Sequence, residues 1–95
     1  MKMAKIIHAL NSETRREIIR ILGDEPKTVK EVFQEIKKIS KINVKYRESI
    51  YRSLEKLVDA GLVEKYYDKE KGICYKLMIK KIKFDLIEGT IKKIE

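Results

Sequence analysis

The sequence predicts an α+β domain, mostly helical, with one β-hairpin and a last helix. Three observations carry this. Apolar residues recur at helical spacing as far as Val58. After Gly61 the period drops to two, in the runs LVEKYYD and ICYKLMI. Gly, Asn, Ser, Asp and Pro fall between the periodic stretches.

Residues 1–10 predict a short helix with Met3, Ile6, Ile7 and Leu10 on one side. Ser12 is placed to cap the next helix, about 13–23, and Glu13 puts negative charge in its first turn. Ile18, Ile19, Ile21 and Leu22 form its apolar side, and Gly23 ends it. Asp24-Glu25-Pro26 is a turn. Thr28-Val29-Lys30-Glu31 has the Thr-x-x-Glu spacing of a capping box, which opens a third helix running to about Lys38. Residues 39–44, ISKINV, form a connector that alternates, as a short strand or an extra turn would.

Lys45 to Gly61 predicts the longest helix. Ile50, Leu54, Leu57 and Val58 make one stripe. At 100° per residue the opposite face carries Lys45, Glu48, Ser49, Arg52 and Lys56, with Tyr51 on the flank. Gly61 stops the helix, where a positive φ is wanted. Residues 62–79 predict the hairpin, with its turn at Lys69-Glu70-Lys71-Gly72. Residues 84–94 predict the closing helix, with Phe84, Ile87, Ile91 and Ile94 on one side. Two helices joined by a connector, the second followed by a hairpin, make a winged helix-turn-helix arrangement.

Ninety-five residues form a single domain, 1–95, with a modest core that a dimer interface would help. Lys and Arg number 23 against 15 Asp and Glu, so the net charge is +8. That balance favours polyanions, nucleic acid first, and the local excess agrees. Residues 27–47 hold seven Lys and Arg against two Glu. A solvated Lys/Glu surface is the bland alternative. The lone cysteine, Cys74, excludes an intrachain disulfide and fits a reducing cytoplasm. The opening MKMAKIIHAL is too short and too charged for a signal peptide, and no apolar run approaches membrane-spanning length. A cytoplasmic location is therefore expected, with no membrane partner.

The segment ALNSETRREIIRIL (9–22) resembles the start of ArsR-type winged-helix regulators, which often show an Ala-Leu-x-x-x-Thr-Arg run. Thr28-Val29-x-Glu31-Val32 resembles the opening of their first helix-turn-helix helix. Leu57-Val58-Asp59-Ala60-Gly61-Leu62-Val63 resembles their junction between recognition helix and wing. The connector departs from that pattern, being about seven residues longer than the usual tight turn. There the chain looks more like ferric-uptake-regulator or PadR-type domains, where a core such as Ile50-Tyr51-Arg52-Ser53-Leu54 is common. The paired cysteines of metal-sensing members have no counterpart in KTVKEVFQEI. The resemblance implies a dimeric DNA-binding transcription regulator, and it implies no metal, cofactor or particular signal. In the ArsR-type family the outer helices make the dimer. Here that would use Met3, Ile7, Leu10, Phe84, Ile87, Ile91 and Ile94.

Arg52 is the leading candidate for a base contact, because a guanidinium can donate twice to guanine O6 and N7. Its bland role is an in-helix ion pair with Glu48 or Glu55. Ser49, Lys45 and Lys56 suit phosphate contacts, which position a helix without reading sequence. Tyr51 suits a sugar or phosphate contact, or a half-buried core place. Arg47 lies nearer the apolar flank. Thr28 and Lys30 open a helix whose free N–H groups can face a phosphate. Lys69 and Lys71 at the hairpin tip suit backbone or minor-groove contact. His8 and Cys74 are the lone members of their kinds, with no third orienting group, so neither catalysis nor metal binding is expected. The leading expectation is a homodimeric regulator of double-stranded DNA. The alternative is a winged-helix protein-interaction module whose basic face is merely solvated. RNA binding is weaker, since stacking aromatics are few.

Overall fold

The computed structural model describes residues 2–39 and 41–94; Met1, at the predicted start of the first helix, and Ser40, in the predicted connector, lie outside the described residues, as does Glu95. The element order is α1 (Met3–Leu10), α2 (Glu13–Leu22), α3 (Val29–Lys37), α4 (Arg47–Asp59), β1 (Val63–Asp68), β2 (Gly72–Leu77), β3 (Lys81–Asp85) and β4 (Thr90–Ile94). The fold is a winged helix-turn-helix with a second hairpin behind the wing.

The helix starts follow from their caps. The Ser12 side chain accepts from the Arg15 backbone N–H at 3.2 Å. Thr28 and Glu31 close the capping box, each side chain accepting from the other's backbone N–H, at 2.9 and 3.2 Å. α4 begins two residues later than its charge pattern suggests. Its N-cap is Tyr46, which makes no side-chain capping bond, and Lys45 lies outside the helix. The connector makes an extra turn, with the Ile42 N–H donating to the Ile39 carbonyl at 3.2 Å, and Ile42 is buried.

The core joins all four helices to the wing. Ile6, Ile18, Val32, Ile36, Ile50, Leu54, Leu57 and Tyr75 are fully buried. Burying an aliphatic side chain of this size is worth roughly 1.5–3 kcal/mol. Arg15 is buried too, and its guanidinium donates to the Ala9 and His8 carbonyls at 2.7 and 3.0 Å. Both carbonyls belong to the last turn of α1, where the His8 oxygen also accepts the Asn11 N–H and a cation meets the negative end of the helix dipole.

β1 pairs antiparallel with β2, with Val63 opposite Leu77 and Tyr67 opposite Ile73. Val63, Tyr67, Ile73, Tyr75 and Leu77 share one face, as the alternation predicts. Gly61 has φ +79°, a conformation that L side chains rarely adopt, and it turns the chain from α4 into the wing. Lys27 forms a two-bond bridge with Tyr75, so the segment before α3 also lies against β2.

The closing helix expected over 84–94 is absent. That stretch belongs to an antiparallel hairpin, β3–β4, with Phe84 opposite Ile91. The cause is local. The Asp85 carboxylate accepts from the Ile87 and Glu88 backbone N–H groups at 3.1 and 2.9 Å, which fixes a turn. Gly89 then takes φ +67°, as the turn requires and a helix interior does not allow. Ile82 and Phe84 before the turn already alternate, so the spacing of Phe84, Ile87, Ile91 and Ile94 imitates a helix by chance. These four residues do not share a face. Phe84 and Ile91 stand across from each other, Ile87 is in the turn, and Ile94 is on the opposite side. In α1 it is Ile6 and Ala9 that face the core. Met3 and Leu10 are half-buried, and Ile7 is exposed.

Candidate nucleic-acid interface

α4 sinks Ile50, Leu54 and Leu57 into the core and turns its other side outward. Arg47, Glu48, Ser49, Arg52, Lys56 and Asp59 are exposed, and Tyr51 is 45% exposed. Of the predicted face, Ser49, Arg52 and Lys56 are open to solvent. Tyr46, 71% exposed at the N-terminus of α4, stands beside it and was not singled out by the charge pattern. The aromatic between two cations in Lys45-Tyr46-Arg47 was the signal for it.

The acidic residues hold the basic elements in register. Glu55, on the flank of α4, accepts from Tyr75 Oη at 2.8 Å and from Lys65 Nζ at 3.1 Å, so both strands of the wing are tied to the helix. Tyr75's hydrogen bond and then Lys65 hold the Glu55 carboxyl below the usual glutamate range, although burial opposes them. Burial, followed by that same bond to Glu55, pushes the Tyr75 phenol far above its ordinary value. Glu31 plays the same part for α3. Its Oε2 lies 3.3 Å from Lys71 Nζ at the wing tip. The Thr28 backbone N–H and then Lys71 lower the Glu31 pKa, and Glu31 raises that of Lys71. Asp59 reaches Lys5 at 3.2 Å, joining the end of α4 to α1.

These ties sort the candidate cations. Arg52 donates to Glu48 one turn earlier at 2.7 Å, and both side chains remain 69% exposed. An exposed pair of this kind is worth under about 1 kcal/mol, so the guanidinium can leave it for a stronger acceptor. Lys71 is engaged by Glu31, whereas Lys69 beside it is exposed and outside the described ion pairs. At the opening of α3, the Thr28 hydroxyl and the Thr28 and Glu31 N–H groups are spent on the capping box. A phosphate there would meet the Glu31 carboxylate, and Lys30 is the exposed cation. The wing tip is rigid for its length. Asp68 accepts from the Glu70 and Lys71 N–H groups at 2.8 and 2.9 Å, and these bonds lower its pKa.

Cys74 is buried in β2, and burial raises its thiol pKa. It lies opposite Tyr66, on the face of the wing away from Val63 and Tyr75. Among the described residues no three His, Cys, Asp or Glu side chains cluster to hold a metal ion. No described helix is long and apolar enough to cross a membrane.

No protein-family model matches the sequence, and no curated protein does either. Solved structures do match. An ArsR-like transcriptional regulator from Rhodococcus sp. RHA1 is 26% identical, with a TM-score of 0.61 over 81% of this chain and 65% of that one. A zinc-bound manganese uptake regulator is 26% identical, with a TM-score of 0.59 over 88% of this chain and 66% of that one. A manganese uptake regulator gives 26% and 0.56, over 88% and 64%. The chain thus spans slightly less than two thirds of the length of each of these three structures.

Proposed function

We propose that this chain is a DNA-binding transcriptional regulator that docks α4 in the major groove and lays the β1–β2 wing along the flanking backbone. The observation that carries the reading is the outward face of α4. It presents Ser49, Arg52 and Lys56 to solvent within a winged helix similar to solved transcriptional regulators. Arg52 reads bases, and Lys45, Tyr46, Arg47, Ser49, Tyr51 and Lys56 hold the helix to sugar and phosphate. Lys69 contacts the backbone beyond the groove, with Lys30 and Lys71 at the periphery; Thr28, spent on its capping box, only starts the helix that carries Lys30. The active form is a homodimer, which sets two recognition helices on successive turns of one DNA face.

The rival reading is a protein-interaction module. It draws on Glu48, Glu55 and Asp59, which place acids along the same helix and engage nearby cations. A salt titration against random-sequence duplex separates the two. The regulator binds at low salt with log affinity falling steeply against log salt concentration. An interaction module shows no binding at any salt concentration.

A further inference from the structure

The β3–β4 hairpin packs on the domain through one side only. Its register puts Ile82, Phe84, Ile91 and Lys93 on the inner face and Lys81, Lys83, Asp85, Thr90, Lys92 and Ile94 on the outer. Ile82 and Ile91 are half-buried against the core, whereas all six outer residues are exposed. Three features of that outer face are unexplained by a solitary chain. Lys83 and Lys92 stand directly opposite each other, an arrangement that like charge disfavours, and neither enters a described ion pair. The turn carries Leu86 and Ile87 at 87% and 95% exposure. At the other end of the hairpin lies a groove of about 390 Å³, walled by Leu77, Met78, Ile79 and Ile94 with lysines at its rim.

We infer that a second copy of this chain docks antiparallel on the outer face, about a two-fold axis at the level of Phe84. The face is complementary to itself in that arrangement. Its stem is basic, with Lys81, Lys83 and Lys92, and its turn end is acidic, with Asp85 and Glu88. Two residues along a strand separate Lys83 from Asp85, so the axis sets each Lys83 and Lys92 pair against the partner's Asp85. It sets Lys81 against the partner's Glu88. The same step brings the partner's Leu86 and Ile87 to the apolar groove beside Ile94. Every contact occurs twice, as an isologous interface requires. A nucleic acid would answer the lysines but would meet Asp85 and Glu88 with like charge and leave Leu86 and Ile87 in water. The strands have five residues each, so the contact is at the small end for a specific interface, and free dimer exchanges with monomer at micromolar concentration.

The inference deepens the homodimer part of the proposed function, and its test contains no DNA. Sedimentation velocity of the full chain at tens of micromolar and low salt is expected to give a species of twice 11.3 kDa. Raising the salt shifts it toward monomer. Leu86→Ser with Ile87→Ser yields monomer, while circular dichroism stays unchanged because both side chains are already in water. Lys81→Glu alone and Glu88→Lys alone each weaken the dimer at least tenfold, and the two together restore it. A wild-type monomer at all these concentrations overturns the inference. So does a dimer indifferent to the turn variant and the charge swap. Unchanged mass with lost DNA affinity in Lys81→Glu assigns the face to phosphate and also overturns it. A failure of DNA binding would be seen separately, since a dimer can form in a chain that ignores DNA.

Discussion

Tyr75 Oη donates a 2.8 Å hydrogen bond to Glu55 Oε2, joining the second strand of the wing to the middle of α4. Tyr75 is fully buried and also forms the backbone bridge to Lys27 ahead of α3. One side chain therefore sets the wing against both helices of the helix-turn-helix. Tyr75→Phe keeps the ring and removes the hydroxyl. The expected cost is about 1.5–3 kcal/mol in urea unfolding, the range for a hydrogen bond to a charged group. Duplex affinity should fall with it, because the wing is less firmly held.

The same carboxylates make stability depend on pH. Glu31 and Glu55 both titrate below the ordinary glutamate value of 4.5 when folded. A carboxyl whose folded pKa is depressed contributes stability that is complete above its unfolded pKa. The contribution disappears as pH falls through the folded value. Unfolding free energy should thus hold steady near neutrality and decline once pH drops below about 4.5. Glu55→Gln should flatten part of that decline in urea titrations run across the acid range.

Arg52→Ala should cost about 1–3 kcal/mol against a specific duplex and much less against random duplex, as loss of a bidentate base contact does. Equal losses on both would remove its base-reading role. Glu48→Gln is the informative companion. It frees Arg52 from its 2.7 Å partner, and DNA affinity should rise. Fluorescence anisotropy on both duplexes reads all of these.

Lys56→Ala and Lys69→Ala should weaken specific and random binding alike, each lowering the salt slope by about one. Lys71→Ala should change the slope less, because Glu31 already engages that ammonium at 3.3 Å.

Arg15 supports the start of the fold. Arg15→Ala takes the guanidinium from the Ala9 and His8 carbonyls, leaving His8 only the Asn11 N–H, and should destabilise by about 2–3 kcal/mol in urea unfolding. Arg15→Lys should recover only part, since a lysine ammonium lacks the planar fork that serves both carbonyls.

Most of this architecture was legible wherever two local signals agreed. The Thr28–Glu31 capping box and the helical spacing of the apolar residues both announced α3. In the same way Gly61 and the change to period two both announced the wing. The final stretch misled because its signals conflicted. Phe84, Ile87, Ile91 and Ile94 fit a helical stripe, while Asp85 and Gly89 marked a turn, and the turn chemistry prevailed. On the α4 face, exposure follows from helical period alone, so the outward residues were readable. Which cations are engaged was not readable. Lys71 and Glu31 are 40 residues apart, and only the folded wing brings them together. Arg15 was hidden for a related reason, since a charged residue in a basic sequence looks like surface until its carbonyl partners are seen.

The central claim is that this domain reads duplex DNA as a symmetric pair. Selection of bound duplexes from a random-sequence pool tests it most directly. The enriched consensus is expected to have two-fold symmetry, with half-sites about one helical turn apart. A pool that stays random after repeated rounds at low salt would contradict it.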